Sequence, residues 1–280
     1  MNRPEVTVLL LVNNDDFFYE TIDSILKQSF SNWELVILNE QPTQKTEEIL
    51  HSYSDSRILI RETDSDIIKN MNAAIYSSQG DYIARINAND VMHVDRLRLQ
   101  LKRYKMYPEI TVCTTWIKPF KTDGTTFPPF AFGEEFVEQI LLKMLSSAVF
   151  DTTSAMINKS FLLQNNIKYK NFPFVEDYKL MVDIAIHEGR FFIEPQLLSY
   201  KRVCEMKNEM KDMVEKQSIR IKKDVIKYLA DYHTNSNVSD LYRNMIKLEK
   251  EKAVTPIDIF HLFSKIFQNT RYTHVHEPQK

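Results

Sequence analysis

Along the first 116 positions the apolar residues alternate between short unbroken runs and stripes at helical spacing. Val6 to Val12 is a nearly continuous apolar run, as expected of a strand covered on both faces. Phe18, Ile22, Ile25 and Leu26 follow at helical spacing, with Asp15 or Asp16 available as an N-cap. Leu35 to Leu38 reads as a second buried strand, Ile49, Leu50 and Tyr53 as a short helix, and Ile58 to Ile60 as a third strand. Ile67, Ile68, Met71, Ala74 and Ile75 predict an amphipathic helix closed near Gly80, and Tyr82 to Ile86 a fourth strand. Leu97, Leu101 and Tyr104 continue in helical register, and Thr111 to Trp116 makes a fifth strand. Strands separated by helices in this way argue for βαβ units and a mainly parallel sheet. Ligands of such sheets bind outside the carboxyl ends of the strands, here near Asn13-Asn14, Asn39-Glu40 and Asn87 to Asp90.

Beyond residue 116 the pattern changes. Residues 117–135 are rich in Pro, Thr, Phe and Gly and predict a hairpin or mobile loop. Two helical segments flank Ala155-Met156-Ile157. Phe174 to Tyr178 opens a helix with Leu180, Met181 and Ile184 on one face, and Phe191 to Ile193 returns as a strand. From residue 205 the chain is charged and helical, with Ile221, Val225, Ile226 and Leu229 as a buried stripe. The last ten residues, with His274 and His276, read as a frayed tail.

Composition narrows the function classes. The hydrophobic share of 43% and charged share of 26% suit a globular protein with a real core. A net charge of −2 gives no basic domain for nucleic acid. No stretch approaches the ~20 apolar residues that cross a bilayer, and the opening run, interrupted by Thr7, does not read as a signal peptide. Cys113 and Cys204 give no disulfide framework, so a reduced, cytoplasmic setting is expected. The four glycines are scattered, which excludes a glycine-rich phosphate loop, and the seven histidines show no metal spacing.

Several segments, in order, resemble the inverting family 2 glycosyltransferases over roughly residues 4–203. Val6 to Asn14 looks like that family's first strand and turn; Ser24-Ile25-Leu26-Lys27-Gln28-Ser29-Phe30 with Trp33-Glu34-Leu35 looks like its first helix and second strand. Gly80-Asp81-Tyr82-Ile83-Ala84-Arg85, leading through Asp90 to Arg96-Leu97, is the most distinctive stretch. Glu176-Asp177 matches the family's acidic pair, and Leu197-Leu198-Ser199-Tyr200 its closing strand. The polar positions depart from the pattern. Two aspartates after the second strand are Asn39 and Glu40, and the Asp-x-Asp metal motif reads Asn87-Ala88-Asn89, leaving Asp90 acidic. The first turn's proline is Leu11, an arginine beyond the acidic pair is Asp183, and a histidine after the closing Tyr-Arg is Val203.

The resemblance implies an α/β fold of the GT-A kind: a Rossmann-like mixed, mainly parallel sheet flanked by helices, with a helical C-terminal extension. It implies a transferase domain over 1–204, with a nucleotide-binding half at 1–116 and an acceptor half at 117–204, followed by helices over 205–280. The implied reaction moves a sugar from a nucleoside-diphosphate sugar, a UDP-sugar being the expected donor, to a hydroxyl of a glycan or lipid-linked acceptor with inversion. Surface polysaccharide or glycoconjugate synthesis is the implied setting.

Asp177 is the expected base, with Glu176 beside it; a plain helix cap is the other reading of Asp177. Val12, Asn14, Asn39, Glu40, Asn72, Arg85 and Asn87 are expected around the nucleotide sugar, although a strand arginine such as Arg85 also pairs readily with a carboxylate. Asn89 and Asp90 are expected to hold Mn²⁺ or Mg²⁺ weakly, because an amide offers oxygen without charge. Asp90, in a strand, would face away unless the backbone bends. Asn87, Asn89 and Asp90 also suit a plain strand-to-helix turn. Phe260, Leu262, Phe263, Ile266 and Phe267, with Lys265 and Arg271, suit either peripheral membrane contact on the inner face, a homo-oligomer, or packing on the main domain. A different class stays open: a non-catalytic module of the same fold that binds a partner glycosyltransferase or glycan, or a nucleotide-binding regulator.

Overall fold

The computed structural model describes residues 3–269 apart from 14, 15, 41, 64, 134, 138, 147, 148 and 233–235. The amino-terminal half alternates as the apolar pattern predicts: β1 (Val6–Val12), α1 (Phe18–Leu26), β2 (Trp33–Asn39), α2 (Gln44–His51), β3 (Ile58–Glu62), α3 (Ile67–Ser77) and β4 (Tyr82–Asn87). These strands form a parallel group in the order β3-β2-β1-β4. Helix starts follow local chemistry. Thr43 accepts the Thr46 N–H in a capping box before α2, and Asp66 accepts the Lys69 N–H before α3. Helix α1 departs from expectation: it begins after Phe17, which makes no side-chain cap, so Asp16 does not cap it, and Asp15 lies outside the described residues.

The second half extends the same sheet. After β5 (Val91–Met92) and α4 (Arg96–Met106) come β6 (Ile110–Phe120), α5 (Ile140–Ser146), β7 (Met156–Asn158), α6 (Lys159–Gln164), α7 (Glu176–Ile186) and β8 (Arg190–Arg202). Strand β7 inserts antiparallel between β4 and β6, β6 runs parallel to β8, and β5 pairs antiparallel with β8 at the edge. One eight-stranded mixed sheet, β3-β2-β1-β4-β7-β6-β8-β5, therefore crosses the expected division at residue 116. The fifth strand is longer than predicted and reaches Phe120; the segment after it folds back through bridges Ile117–Phe130 and Phe120–Thr126, as a hairpin. The two-residue β5 carries too short an apolar signal to be predicted.

Two cores lie on opposite faces. Val6, Val8, Leu10 and Val12 join Leu35, Ile37, Phe18, Ile22 and Leu97 on one side; Leu9, Val36, Met71, Leu180 and Ile184 gather on the other. The two-residue alternation of a strand assigns odd and even positions of β1 to different faces. Helices α8 (Asn208–Tyr232), α9 (Ser236–Lys250) and α10 (Pro256–Asn269) complete the second face. Ile221, Val225, Ile226, Ile259, Phe263 and Phe267 are buried there, and Tyr242 meets Phe263 edge-on at 5.5 Å between ring centroids. Of the readings of this apolar stripe, packing on the main domain is the one the fold uses: α10 packs on α8 and α5, and Phe260, Leu262 and Ile266 are partly buried against the same core. The physical reason is the company α10 keeps, since α8 offers a matching stripe at helical spacing. Arg271 lies outside the described residues.

Gly80 fixes the approach of the α3–β4 connection to β1. A Cβ at this position would sit 2.4 Å from the Thr7 backbone nitrogen and 2.7 Å from the Val6 carbonyl carbon. The Gly80 N–H donates to Thr7 Oγ1 (3.0 Å), and the buried Glu34 carboxylate accepts from Thr7 Oγ1 and the Gln79 N–H, each at 2.6 Å. Gly80→Ala is expected to lower stability by about 1–3 kcal/mol through overpacking, read as a shift in the urea midpoint; an unshifted midpoint would show that the connection moves freely. Phe263→Ala is expected to remove about 3–5 kcal/mol in solution without lipid. A stability equal to the parent's would mean that α10 is not part of the core.

Candidate active site

The carboxyl ends of β1, β2 and β4 open onto a cavity of about 260 Å³ whose lining includes Leu11, Asn13, Glu40, Ile67, Ile68, Met71, Arg85, Phe174, Glu176 and Asp177. This is where a parallel sheet leaves room for a ligand. A hollow of about 330 Å³ lies elsewhere, between α1 and β5, lined by Glu20, Lys27 and Val94, and none of the expected site residues line it.

The strand repeat decides which expected residues reach the cavity. Glu40 and Arg85 line it. Val12 does not: its side chain belongs to the opposite core with Val8 and Leu10, and the flanking Leu11 and Asn13 face the cavity instead. Asn39 pairs in register with Val12 and is buried, with Oδ1 making no hydrogen bond, while its carbonyl accepts from Thr63 Oγ1 at 2.9 Å. Asn14 lies outside the described residues. Asn72 is committed to a backbone clamp. Its Nδ2 donates to the Tyr169 carbonyl (3.0 Å) and its Oδ1 accepts the Tyr169 N–H (2.8 Å), so Ile67, Ile68 and Met71 are the α3 residues that reach the cavity. Asn87 ends β4 on the face of Arg85, and its carbonyl accepts the Asp90 N–H at 3.1 Å.

Asp177 sits one residue inside α7, whose first residue is Glu176 and whose N-cap position, Val175, makes no side-chain cap. The helix-cap reading of Asp177 does not describe this geometry. Its Oδ1 accepts from Arg85 Nε at 3.3 Å and from the Tyr169 hydroxyl at 2.7 Å. Both bonds fall on one oxygen, and among the described residues none reaches Oδ2. Burial works against the Arg85 charge, and Asp177 beside it more than compensates, so the guanidinium is held firmly protonated. Burial, reinforced by Asp177, pushes the Tyr169 hydroxyl well above its ordinary range, which keeps it a donor. Glu176 is also pushed upward, chiefly by burial, and its Oε1 accepts the N–H of Phe174 at 3.2 Å. That bond steadies Phe174 in the left-handed region (φ 68°), a conformation that stores strain in a non-glycine residue.

The backbone does bend after β4, as Asp90 would need, but the carboxyl turns inward. Asp90 is 5% exposed, with Oδ1 accepting the Arg202 N–H at 3.0 Å and Oδ2 taking no hydrogen bond. Burial pushes it up to about 6, with Lys201 pulling down and Asp151 adding to the rise. The Asn89 carbonyl accepts from Arg202 Nε at 3.2 Å. Two neutral amides and a buried carboxyl do not fit a hard divalent cation, which asks for charged oxygen ligands open to it. Among the described residues no three His, Cys, Asp or Glu side chains gather where they could hold a metal.

Three residues near the site were not singled out by sequence: Tyr169, Asp151 and Lys201. Tyr169 lies in an irregular segment and meets Asp177 only through the fold. Asp151 accepts from Lys201 Nζ at 2.6 Å across fifty positions of sequence. Lys201 directly follows Tyr200, the end of the segment that resembles the family's closing strand, and that adjacency is the signal that could have found it.

Comparison with known proteins agrees with this geometry. A crystal structure of residues 1–349 of S. aureus TarS in complex with UDP superposes with a TM-score of 0.63 at 15% identity, covering 96% of this chain and 93% of that one. That likeness shows the fold, a GT-A-like mixed sheet. An uncharacterized glycosyltransferase of Methanocaldococcus jannaschii is 25% identical over 210 residues, 72% of either chain. The Bacillus subtilis glycosyltransferase TuaG, named for teichuronic acid biosynthesis, is 30% identical over 138 residues, 48% of this chain and 54% of that protein. The chain thus spans about half the length of TuaG. The model of glycosyl transferase family 2 matches residues 8–165, from within β1 through α6, and takes in the ends of β1, β2 and β4 that border the cavity. On fold, site and sequence together, the chain is a glycosyltransferase and belongs to glycosyl transferase family 2.

Proposed function

We propose that this glycosyltransferase moves a sugar from a UDP-sugar to a hydroxyl of a glycan or lipid-linked acceptor, with inversion, in the synthesis of a surface polysaccharide. The observation that carries the reaction is the asymmetric anchoring of Asp177. Arg85 and Tyr169 fix Oδ1, while Oδ2, in a side chain 19% exposed on the cavity wall, is left to accept a proton. The acceptor oxygen attacks the anomeric carbon, its proton passes to Asp177 Oδ2, and the bond from that carbon to the diphosphate oxygen breaks with its electron pair leaving on UDP. A base held in one orientation at the point of attack is what general base catalysis requires.

The donor class is supported by S. aureus TarS, whose crystal structures hold UDP and UDP-GlcNAc in the same fold. The polysaccharide setting is supported by TuaG, named for teichuronic acid biosynthesis. Among the described residues no helix is long and apolar enough to cross a membrane, and the free cysteines, Cys113 buried and Cys204 exposed, suit a reducing compartment. A second reading, a non-catalytic binding module, draws on the amides at Asn87 and Asn89, which remove two charges from the strand end.

The test is release of UDP from a panel of UDP-sugars, with the binding of UDP measured alongside. Asp177→Asn is expected to slow turnover by about 10²–10⁴-fold while leaving UDP affinity within two-fold of the parent, on the order of the scatter expected without lost contacts. Turnover by the Asn variant at the parental rate would remove Asp177 as the base. UDP binding with no turnover of any UDP-sugar in the parent chain would favour the binding module.

A further inference from the structure

We propose that Lys201 is the cation this chain sets against the donor diphosphate, in the place a divalent ion would otherwise take. The inference deepens the UDP-sugar reading and rests on it.

The strand end lacks the groups that would recruit a metal. Positions 87 and 89 are neutral amides, and the one remaining carboxyl, Asp90, is closed off by burial and by the Arg202 N–H. A leaving diphosphate still needs positive charge beside it. Arg85, Arg202 and Lys201 carry positive charge nearby, and the first two are already committed. Arg85 is buried against Asp177, and Arg202 is 4% exposed with its guanidinium 2.5 Å from Glu20. Lys201 differs. It stands near the end of β8, one residue past Tyr200, which pairs directly with Val91, so the fold brings it beside the turn of residues 87–90. Its Nζ lies 2.6 Å from Asp151 Oδ2, yet 40% of the side chain is exposed.

An ammonium carries three donors. One goes to Asp151, which leaves two for phosphate oxygens on the exposed side. Burial works against the Lys201 charge, and Asp151, then Asp90 and Asp177, outweigh it, so the ammonium is held charged. Asp151 in turn is buried, and Lys201 nonetheless keeps its carboxyl below the ordinary range. The pair is therefore a fixed, oriented charge that needs no ion to be loaded.

The test is calorimetric titration of UDP into the full chain, first with EDTA and then with Mn²⁺, in the parent, Lys201→Met and Lys201→Arg, with uridine as a probe that has no phosphate. The parent is expected to bind UDP with affinities within about two-fold in EDTA and Mn²⁺. Lys201→Met is expected to lose about 10-fold or more in UDP affinity, the loss typical of a charge-assisted hydrogen bond, with uridine affinity unchanged and with Lys201→Arg close to the parent. A parental UDP affinity that rises ten-fold or more with Mn²⁺ would overturn the proposal, as would a Met variant that binds UDP as tightly as the parent. The metal comparison on the parent stands even if the Met variant does not fold. A parent that binds neither UDP nor uridine would instead bring down the donor reading, and this inference with it.

Discussion

The ion pair between Arg85 and Asp177 joins the two halves of the molecule at the point where chemistry is expected. Arg85 belongs to β4, in the parallel group, and Asp177 to α7, ninety-two positions later. Charges taken out of water are costly unless paired and hydrogen-bonded, and breaking such a pair from one side typically costs about 3–5 kcal/mol. The pair here is closed by a third partner, Tyr169, whose backbone is held in turn by Asn72 on α3. Removing any member leaves buried polar groups without partners. The network thus holds the cavity wall of α3, the strand β4 and Asp177 on α7 in one geometry, as a reaction sensitive to sub-ångström placement requires.

That geometry depends on a second device deeper in the sheet. Inserting the short antiparallel β7 between β4 and β6 leaves carbonyls that neighbouring strands do not fully use, and α4 supplies the donors. Arg96, fully buried, donates to the Arg85 carbonyl at 2.8 Å and the Ala155 carbonyl at 3.3 Å. Gln100, one turn later, donates to the Cys113 carbonyl at 2.6 Å and the Ser154 carbonyl at 3.0 Å. Burial drives the Arg96 pKa down to about 10, which still leaves it charged at neutral pH. With β7 fixed in this way, β6 and β8 follow in order, and the end of β8 arrives beside the turn after β4. The reversal of strand direction is what brings Lys201 and Asp151 next to the ends of the parallel strands.

The sequence carried the order of elements well and the orientation of individual side chains poorly. Buried parallel strands such as Val6–Val12 announce themselves because both faces demand apolar residues. The same property hides which face holds the ligand. Val12 and Asn39 were natural candidates as the last residues of β1 and β2, yet the two-residue repeat sends them to the far core and gives the cavity to Leu11, Asn13 and Glu40. Asn72, expected at the donor, is bound to the backbone of Tyr169, a partner ninety-seven positions away that no local pattern signals. The carboxylate alternative kept open for Arg85 is the one the fold uses. The apolar stripe of α10 was legible as a stripe, but its partner was not, because period alone does not say which surface a stripe meets.

The departures from the family pattern at the strand end make sense as one change rather than several. A divalent ion held by two aspartates adds no net charge to the wall that meets the diphosphate. Two asparagines with a lysine–aspartate ion pair also add none. Losing the carboxylates while keeping the ion's charge would leave the wall too positive; losing the ion alone would leave it too negative. On the proposed role of Lys201, replacing both together keeps the balance and exchanges a loaded cofactor for a cation tethered to β8. The inward turn of Asp90 fits the same logic. An exposed carboxylate there would compete with phosphate for the Lys201 ammonium, and Asp90 is instead buried, with Oδ1 on the Arg202 N–H. Charge balance at the strand end, more than the identity of any one residue, is what this proposal asks a chain with this fold to preserve beside a diphosphate.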